Sequence, residues 1–341
     1  MLNTVFQLKR PRQFEAVFKN VELDKEHVLV RPSYLSICNA DQRYYQGMRD
    51  KEVLKKKLPM ALIHEGTGKV VYDPTHTFGM GEQVIMIPNI PVEKDDIIEE
   101  NYLRSSKFCS SNTDGFLREF VSARPDCLIA LPAWIDPCVA AFTELVTVSY
   151  HAIERFKKIA HPRRNRIGVW GDGNVAYITA LLLKKTFPSS RICVFGKHRQ
   201  KLAGFTFADA TYEITEIPAE TEIDHAFECV GGTGAVHAVD QIIDHICPEG
   251  TIALLGVTED PVPVNTRMIL EKGLFVIGNS RSGKKDYEGV LSLYAAHPEI
   301  TDYLENIVGA RITVRKIRDI VDAFETDIHK MSGKTIMIWD K

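Results

Sequence analysis

The seven cysteines of this 341-residue chain form no C-x-x-C pair, so no paired-cysteine metal or redox motif is present. Met1–Arg10 lacks the apolar core of a secretory signal. The thiols therefore read as reduced groups or metal ligands, and a cytoplasmic enzyme is expected. Neither sign of charge is in excess: Lys and Arg total 42, Asp and Glu 45, for a formal net charge of −3. A broadly basic surface for nucleic acid or an anionic membrane is excluded. No apolar run approaches the about 18 residues needed to span a bilayer. Internal repeats and low-complexity segments are also missing. What remains is ordinary globular composition, 45% hydrophobic and 26% charged, long enough for two domains.

Three regions differ in character. Residues 1–145 carry short strand patterns such as Val28–Pro32, Gly68–Tyr72 and Gln83–Ile87, broken by Pro and Gly, which predicts a β-rich domain. Over 146–285 strands alternate with helices, the signature of a parallel sheet. Residues 286–341 contain Ile317, Val321, Phe324 and Ile328 at helical spacing and a strand-like Lys334–Trp339. This end is expected to complete the first domain, giving 1–145 with 286–341 as one domain and 146–285 as the other. The acidic run 93–100 reads as a solvated loop.

The most specific local pattern is Arg166–Ala176. A short apolar strand, Arg166–Trp170, runs into Gly171-Asp172-Gly173-Asn174-Val175-Ala176, and Tyr177–Lys185 reads as a helix. This is G-x-G-x-x-A between strand and helix. Gly171 allows the tight turn, Gly173 lets backbone approach a pyrophosphate, and Ala176 lets helix and strand pack closely. The next strand, Arg191–Phe195, ends at Gly196, where an NAD-type fold usually has an acid for the ribose 2′-hydroxyl. Lys197, His198, Arg199 and Lys201 follow, and no acid occurs from Phe187 to Ala208. Glycine leaves room for a 2′-phosphate and the cations can neutralise it, so NADPH is expected over NADH. Lys197 and Arg199 are the favoured ligands, with His198 and Lys201 facing water.

Cys38, His64, Glu65 and Glu144 offer a thiolate, an imidazole and two carboxylates, donor types that suit a catalytic Zn²⁺ with one position open. Their spacing alone does not make a metal site. Ser36–Asp41 and Ile63–Val71, however, resemble the two zinc motifs of the medium-chain, zinc-dependent alcohol and polyol dehydrogenases. Asp114–Phe120, Thr143-Glu144-Leu145 with Ser149–Ala152, the glycine turn and Gly333-Lys334 fit the same family, over nearly the whole chain. Within it, Ser36–Tyr45, Gly171–Asn174 and Ser280–Gly283 are similar to the ribulose-5-phosphate reductases of bacterial wall teichoic acid synthesis.

That resemblance implies an α/β fold: a Rossmann nucleotide-binding domain plus a β-rich, GroES-like catalytic domain. It implies Cys38 and His64 as zinc ligands, with Glu65 or Glu144 touching the metal directly or through water. Asp41 would orient His64, and Tyr44 would lie on the substrate side. It implies NADPH-dependent reduction of D-ribulose 5-phosphate to D-ribitol 5-phosphate. The sequence itself offers cations for the phosphate end: Arg43 near the zinc motif, and Arg281, Lys284 and Lys285 after a strand whose loop should face the cleft. Two departures from the family matter. Ala40 stands where many members place a Ser or Thr that passes a proton, so the proton must come from zinc-bound water, the Glu65/Glu144 pair or Tyr44. Only Cys109 lies between Pro88 and Gly115, so one zinc per chain is expected and no structural zinc. A homodimer is expected, as is association with the cytidylyltransferase that would use the product. The rival readings are a polyol or alcohol dehydrogenase acting on an uncharged substrate, a non-catalytic NADPH-binding module, and a zinc-free quinone-reductase-like protein.

Overall fold

Alternating and continuous apolar runs become strands where the periodicity places them. The computed structural model describes residues 1–341 and divides by contacts into two units, Met1–Leu145 with Ser282–Lys341, and Val146–Arg281.

The first unit is built on a sheet in the order Leu128–Ala130, Gln83–Met86, Glu65–Tyr72, Val28–Ser36, Lys334–Trp339, Val308–Val314, with Val121–Ala123 also pairing with Val28–Ser36. A smaller sheet sets Leu2–Arg10 between Gln13–Asn20 and Met60–Ala61. Val28, Val30, Leu35, Val70, Val84 and Met337 are all buried in one core, into which Phe324 and Ile320 of the helix Ile317–His329 pack. The last strand lies inside the sheet, between Val28–Ser36 and Val308–Val314, with five of its six residues buried, and it runs antiparallel to Val28–Ser36. Asp114 stitches the small sheet together: its carboxylate accepts from Ala61 N (2.7 Å), Gln7 Nε2 (3.1 Å) and Lys19 Nζ (2.5 Å).

The second unit is a six-stranded sheet with every adjacent pair parallel. Its order is Ala210–Glu213, Arg191–Gly196, Arg166–Trp170, His225–Glu228, Thr251–Leu254, Phe275–Gly278. In sequence rank this is 3-2-1-4-5-6, the doubly wound order whose ligands sit beyond the carboxyl ends of the strands, where the order reverses. Trp170, Phe195 and Tyr212 occupy paired positions on three neighbouring strands and stack at centroid distances of 3.9 and 5.2 Å. This aromatic ladder supports the turns that follow those strands. Glu228, buried at the end of its strand, accepts from Val230 N, Gly231 N and Gly256 N and so ties two neighbouring loops together.

His225 is fully buried on the same strand. Its Nδ1 accepts from Thr251 N (3.1 Å), so the proton sits on Nε2, which lies 3.0 Å from Arg163 O and 3.2 Å from His161 O. Burial, aided by the neighbouring His161, depresses its pKa from 6.5 to about 4. Unfolding restores the ordinary value, so below it the unfolded chain binds a proton that the native chain does not. Stability is therefore full above pH 6.5 and falls as the pH drops toward 4, by on the order of 3 kcal/mol. Urea midpoints at pH 7.5 and 4.5 should differ accordingly, and His225→Asn should flatten the difference; an equal slope in both proteins would contradict this assignment.

Candidate metal centre and dinucleotide turn

Cys38 follows the strand Val28–Ser36 and directly precedes the helix Asn39–Tyr45. His64 precedes, and Glu65 opens, the neighbouring strand Glu65–Tyr72. Antiparallel register puts Ser36 opposite Glu65, so two strand ends deliver all three side chains to one place. Their ligand atoms lie within 4.8 Å of one another, with His64 and Glu65 buried and Cys38 half-buried. Glu144, buried in the first turn of the helix Thr143–Ile159, is not one of this group of three. Its carboxyl is nevertheless pushed up to about 7, first by burial and further by the Glu65 charge, with His64 opposing. Tyr44 is buried on the helix after Cys38, with the Arg49 guanidinium 4.9 Å from its ring centroid.

Asp41 organises the cluster. Fully buried, it sets Oδ2 3.4 Å from His64 Nδ1 and accepts there from Cys38 N (3.3 Å). Its Oδ1 accepts from Ile63 N (3.0 Å) and Ser110 Oγ (2.5 Å). Ile63 has φ +72°, a left-handed conformation that a β-branched residue adopts only under strain. It is clamped by Asp41 on its N–H and by Phe116 N on its carbonyl (2.7 Å). A Cβ on Gly115 would lie 2.3 Å from the same carbonyl, so only glycine fits there. Asp41 thus fixes both the ring of His64 and the backbone that carries it. With Nδ1 facing Asp41, Nε2 is the ring atom left for a ligand.

Burial alone would strip His64 of its proton, but the Asp41 carboxylate and Cys38 hold its pKa well above the ordinary value. Burial and the Glu65 charge push the Cys38 thiol up, with His64 and Lys334 opposing. Lys334, 2% exposed, donates to Glu65 Oε1 (3.0 Å) and Ile37 O (2.9 Å) and lies 2.8 Å from Glu65 Oε2. One lysine thus faces a site rich in potential anions. Sulfur, nitrogen and oxygen donors converging in a buried setting match the donor set of zinc, and a divalent cation would favour the thiolate that burial disfavours. The residues fit the metal.

Sequence reasoning missed three supports here. Lys334 was read only as part of a family match; its signal is a lone lysine opening an apolar strand. Nothing local marks Ser110 or the strained Ile63, because both matter through partners far away in the chain.

In the second unit the helix Asn174–Thr186 begins directly after the glycine turn. Gly171 has φ +131°, and a Cβ on it would lie 3.2 Å from Ala176 Cβ and from the Cys229 backbone. Ala176 is fully buried. Gly173 caps the helix without a side chain, and a Cβ there would meet no protein atom within 4 Å. Packing does not require glycine at that point, whereas close approach of a phosphate to the helix N–H groups, including those of Val175 and Ala176, does.

The basic loop differs from expectation. Acids do reach it, from outside its own sequence. Asp172 Oδ2 accepts from Lys197 N (2.9 Å) and His198 N (2.8 Å) and lies 2.8 Å from His198 Nδ1, while Lys201 Nζ is 3.9 Å from Oδ1. His198 and Lys201 therefore face Asp172 as well as water. Arg199 Nε pairs with Glu213 Oε1 at 2.8 Å, and the arginine side chain stays 82% exposed. Packing also requires glycine at 196: a Cβ would come within 2.8 Å of Asp172 Cβ and Leu202 Cδ2. The acidic run 93–100 also does more than face solvent. Glu100 Oε1 accepts from Lys284 N (3.0 Å) at the start of the helix Lys284–Ala296, and Glu99 pairs with Lys285 Nζ (2.7 Å).

A family model for the alcohol dehydrogenase GroES-like domain matches residues 24–133. The chain is similar to L-idonate 5-dehydrogenase of Escherichia coli at 18% identity with TM-score 0.86, covering 99% of each chain, which is a likeness of fold alone. Together with the discontinuous β-rich unit and the doubly wound unit, these define a medium-chain dehydrogenase fold. Nearer relatives are the ribulose-5-phosphate reductase of Bacillus spizizenii, 52% identical across all of both chains, and ribulose-5-phosphate reductase 1 of Staphylococcus aureus, 53% identical across 99% of each. The crystal structure of S. aureus TarJ in complex with NADPH superposes with TM-score 0.90 at 48% identity, covering both chains completely. The chain belongs to the ribulose-5-phosphate reductase family.

The ion pair yields a direct test. Replacing Lys334 with Met leaves Glu65 buried without its counter-charge and should cost about 3–5 kcal/mol in chelator-treated protein, read by urea unfolding. Lys334→Arg should cost markedly less. Equal stability of Lys334→Met and the parent would show that Glu65 does not need the amine.

Proposed function

We propose that this chain is an NADPH-dependent, zinc-assisted reductase that converts D-ribulose 5-phosphate to D-ribitol 5-phosphate, supplying ribitol phosphate for poly(ribitol phosphate) wall teichoic acid. The observation that carries this reading is the convergence of Cys38, His64 and Glu65 within 4.8 Å, in a chain about half identical end to end to ribulose-5-phosphate reductases.

Cys38 and His64 would hold the zinc, with Glu65 or Glu144 supplying a carboxylate. When bound, the ion supplies Lewis-acid stabilisation of the negative charge that develops on a ketone oxygen during hydride transfer. NADPH supplies the hydride. Asp41 holds His64 in one orientation, and the burial of His64 and Glu65 limits access of water to the cluster. Ala40 has no proton to give, so the group that protonates the product oxygen must lie elsewhere. The Glu65/Glu144 pair and the phenol of Tyr44 are the buried groups of this chain able to hold that proton. Gly171, Gly173 and the N-terminal turn Asn174-Val175-Ala176 would receive the pyrophosphate. Gly196, Lys197 and Arg199 would line the 2′-phosphate site. Lys285 is already paired with Glu99, so it would bind a sugar phosphate only by leaving that partner.

A homodimer is part of the reading. Phe275–Gly278 is an edge strand with Phe275 and Val276 about half exposed, an apolar edge that a second copy would cover. No helix is long and apolar enough to cross a membrane, which suits a cytoplasmic enzyme. Association with the cytidylyltransferase that would take up the product completes the proposal.

Two measurements test it. With NADPH, kcat/KM for reduction of ribulose 5-phosphate should exceed that for ribulose, and with NADP+ kcat/KM for oxidation of ribitol 5-phosphate should exceed that for sorbitol, each by about tenfold or more, as loss of a charge-assisted contact implies. Comparable rates within each pair would favour a polyol dehydrogenase for uncharged substrates. Cys38→Ser should lose zinc and turnover together, and full turnover without metal would rule out the zinc-assisted route. For the dimer, Val276→Lys should shift the mass in light scattering from two copies to one.

A further inference from the structure

The acid that holds the basic loop in place stands inside the glycine turn itself. Asp172 lies between Gly171 and Gly173, and its side chain is only 12% exposed. Its Oδ2 receives two successive backbone N–H groups, from Lys197 and His198, and the imidazole Nδ1 of His198 lies 2.8 Å away. Gly171 N donates to Phe195 O, adding a backbone tie between the same two segments. Gly196 admits no Cβ, because Asp172 and Leu202 already fill the space beside it. One carboxylate thus fastens the turn after the first strand to the loop after the second. Its charge is met by backbone dipoles and His198, while the side chains of Lys197 and Arg199 remain exposed.

We propose that Asp172 is the positioning residue for 2′-phosphate selectivity, holding the loop 197–201 in the conformation that presents its cations to the phosphate of NADPH. The proposal rests on the NADPH reading above and deepens it. It makes a counter-intuitive prediction. If Asp172 acted only through its charge, removing an anion beside a phosphate site would tighten phosphate binding. If it acts by fastening the loop, removing the charge must weaken that binding, because the hydrogen bonds to Lys197 N and His198 N lose their charge assistance and the loop's cations are held less firmly in register.

The test uses the full-length protein with adenosine 2′,5′-bisphosphate and 5′-AMP as probes, followed by calorimetry and thermal shift. Asp172→Asn should bind the bisphosphate about tenfold more weakly, with 5′-AMP affinity changed less than about twofold. The KM ratio of NADH to NADPH should fall by a similar factor. Unchanged or tighter bisphosphate binding overturns the proposal, and so does an equal loss for both probes, which would mark a merely structural role. If Asp172→Asn does not fold, His198→Ala removes one leg of the same fastening from an exposed position. It should then weaken bisphosphate binding about threefold with 5′-AMP unaffected, and no change would overturn the proposal. A parent protein that binds 5′-AMP as tightly as the bisphosphate would instead remove the NADPH reading, a result separable from failure of the variants.

Discussion

Burial of Glu65 beside a thiol, with the carboxyl of Glu144 also buried nearby, is the constraint on which the candidate metal cluster depends. A carboxylate with no exposed surface is costly unless something positive meets it. Lys334 does so from the last strand, 269 positions away in sequence, and its third contact is a backbone carbonyl at Ile37. The cluster of Cys38, His64 and Glu65 is therefore incomplete until the last strand has inserted into the sheet. The same electrostatics make the cluster receptive to a divalent cation, which would favour the thiolate that burial beside Glu65 disfavours.

Both units fasten their functional loops in a common way, with a largely buried acid accepting backbone N–H groups. Asp41 takes those of Cys38 and Ile63, Asp114 that of Ala61, Asp172 those of Lys197 and His198, and Glu228 those of Val230, Gly231 and Gly256. Each donor lies at a turn, a helix cap or a strand end, and the carboxylate holds that backbone in place. Glycine supplies the matching negative space: at Gly115 and Gly196 a side chain would strike backbone or a neighbouring residue. The strain at Ile63 is tolerable because hydrogen bonds grip it on both sides.

Much of this was legible locally. The strand Arg166–Trp170 and the helix starting at Asn174 follow from apolar runs and a glycine turn, and the six parallel strands follow from the alternation around them. Cys38, His64 and Glu65 were legible as donor types, and a family resemblance grouped them; register then explains why two strand ends bring them together. The sequence around 196–201 holds no acid between Phe187 and Ala208, so the loop looks free of acid locally. The fold supplies Asp172 and Glu213 from neighbouring strand ends. The acidic run at 93–100 was read as solvated, yet Glu100 meets the N-terminus of a helix nearly two hundred residues further on.

Periodicity, turn chemistry and residue type are properties of neighbours in the chain, and from them the sequence by itself determined the α/β class, the glycine turn and the pool of possible ligands. Which charge meets which is a property of neighbours in space. The pairing of Lys334 with Glu65, the reach of Asp172 to a loop 25 residues ahead and the clamp on Ile63 were decided only when the sheets closed. Short-range forces write the elements; burial, which removes water as a partner, decides the rest by making each hidden charge find another.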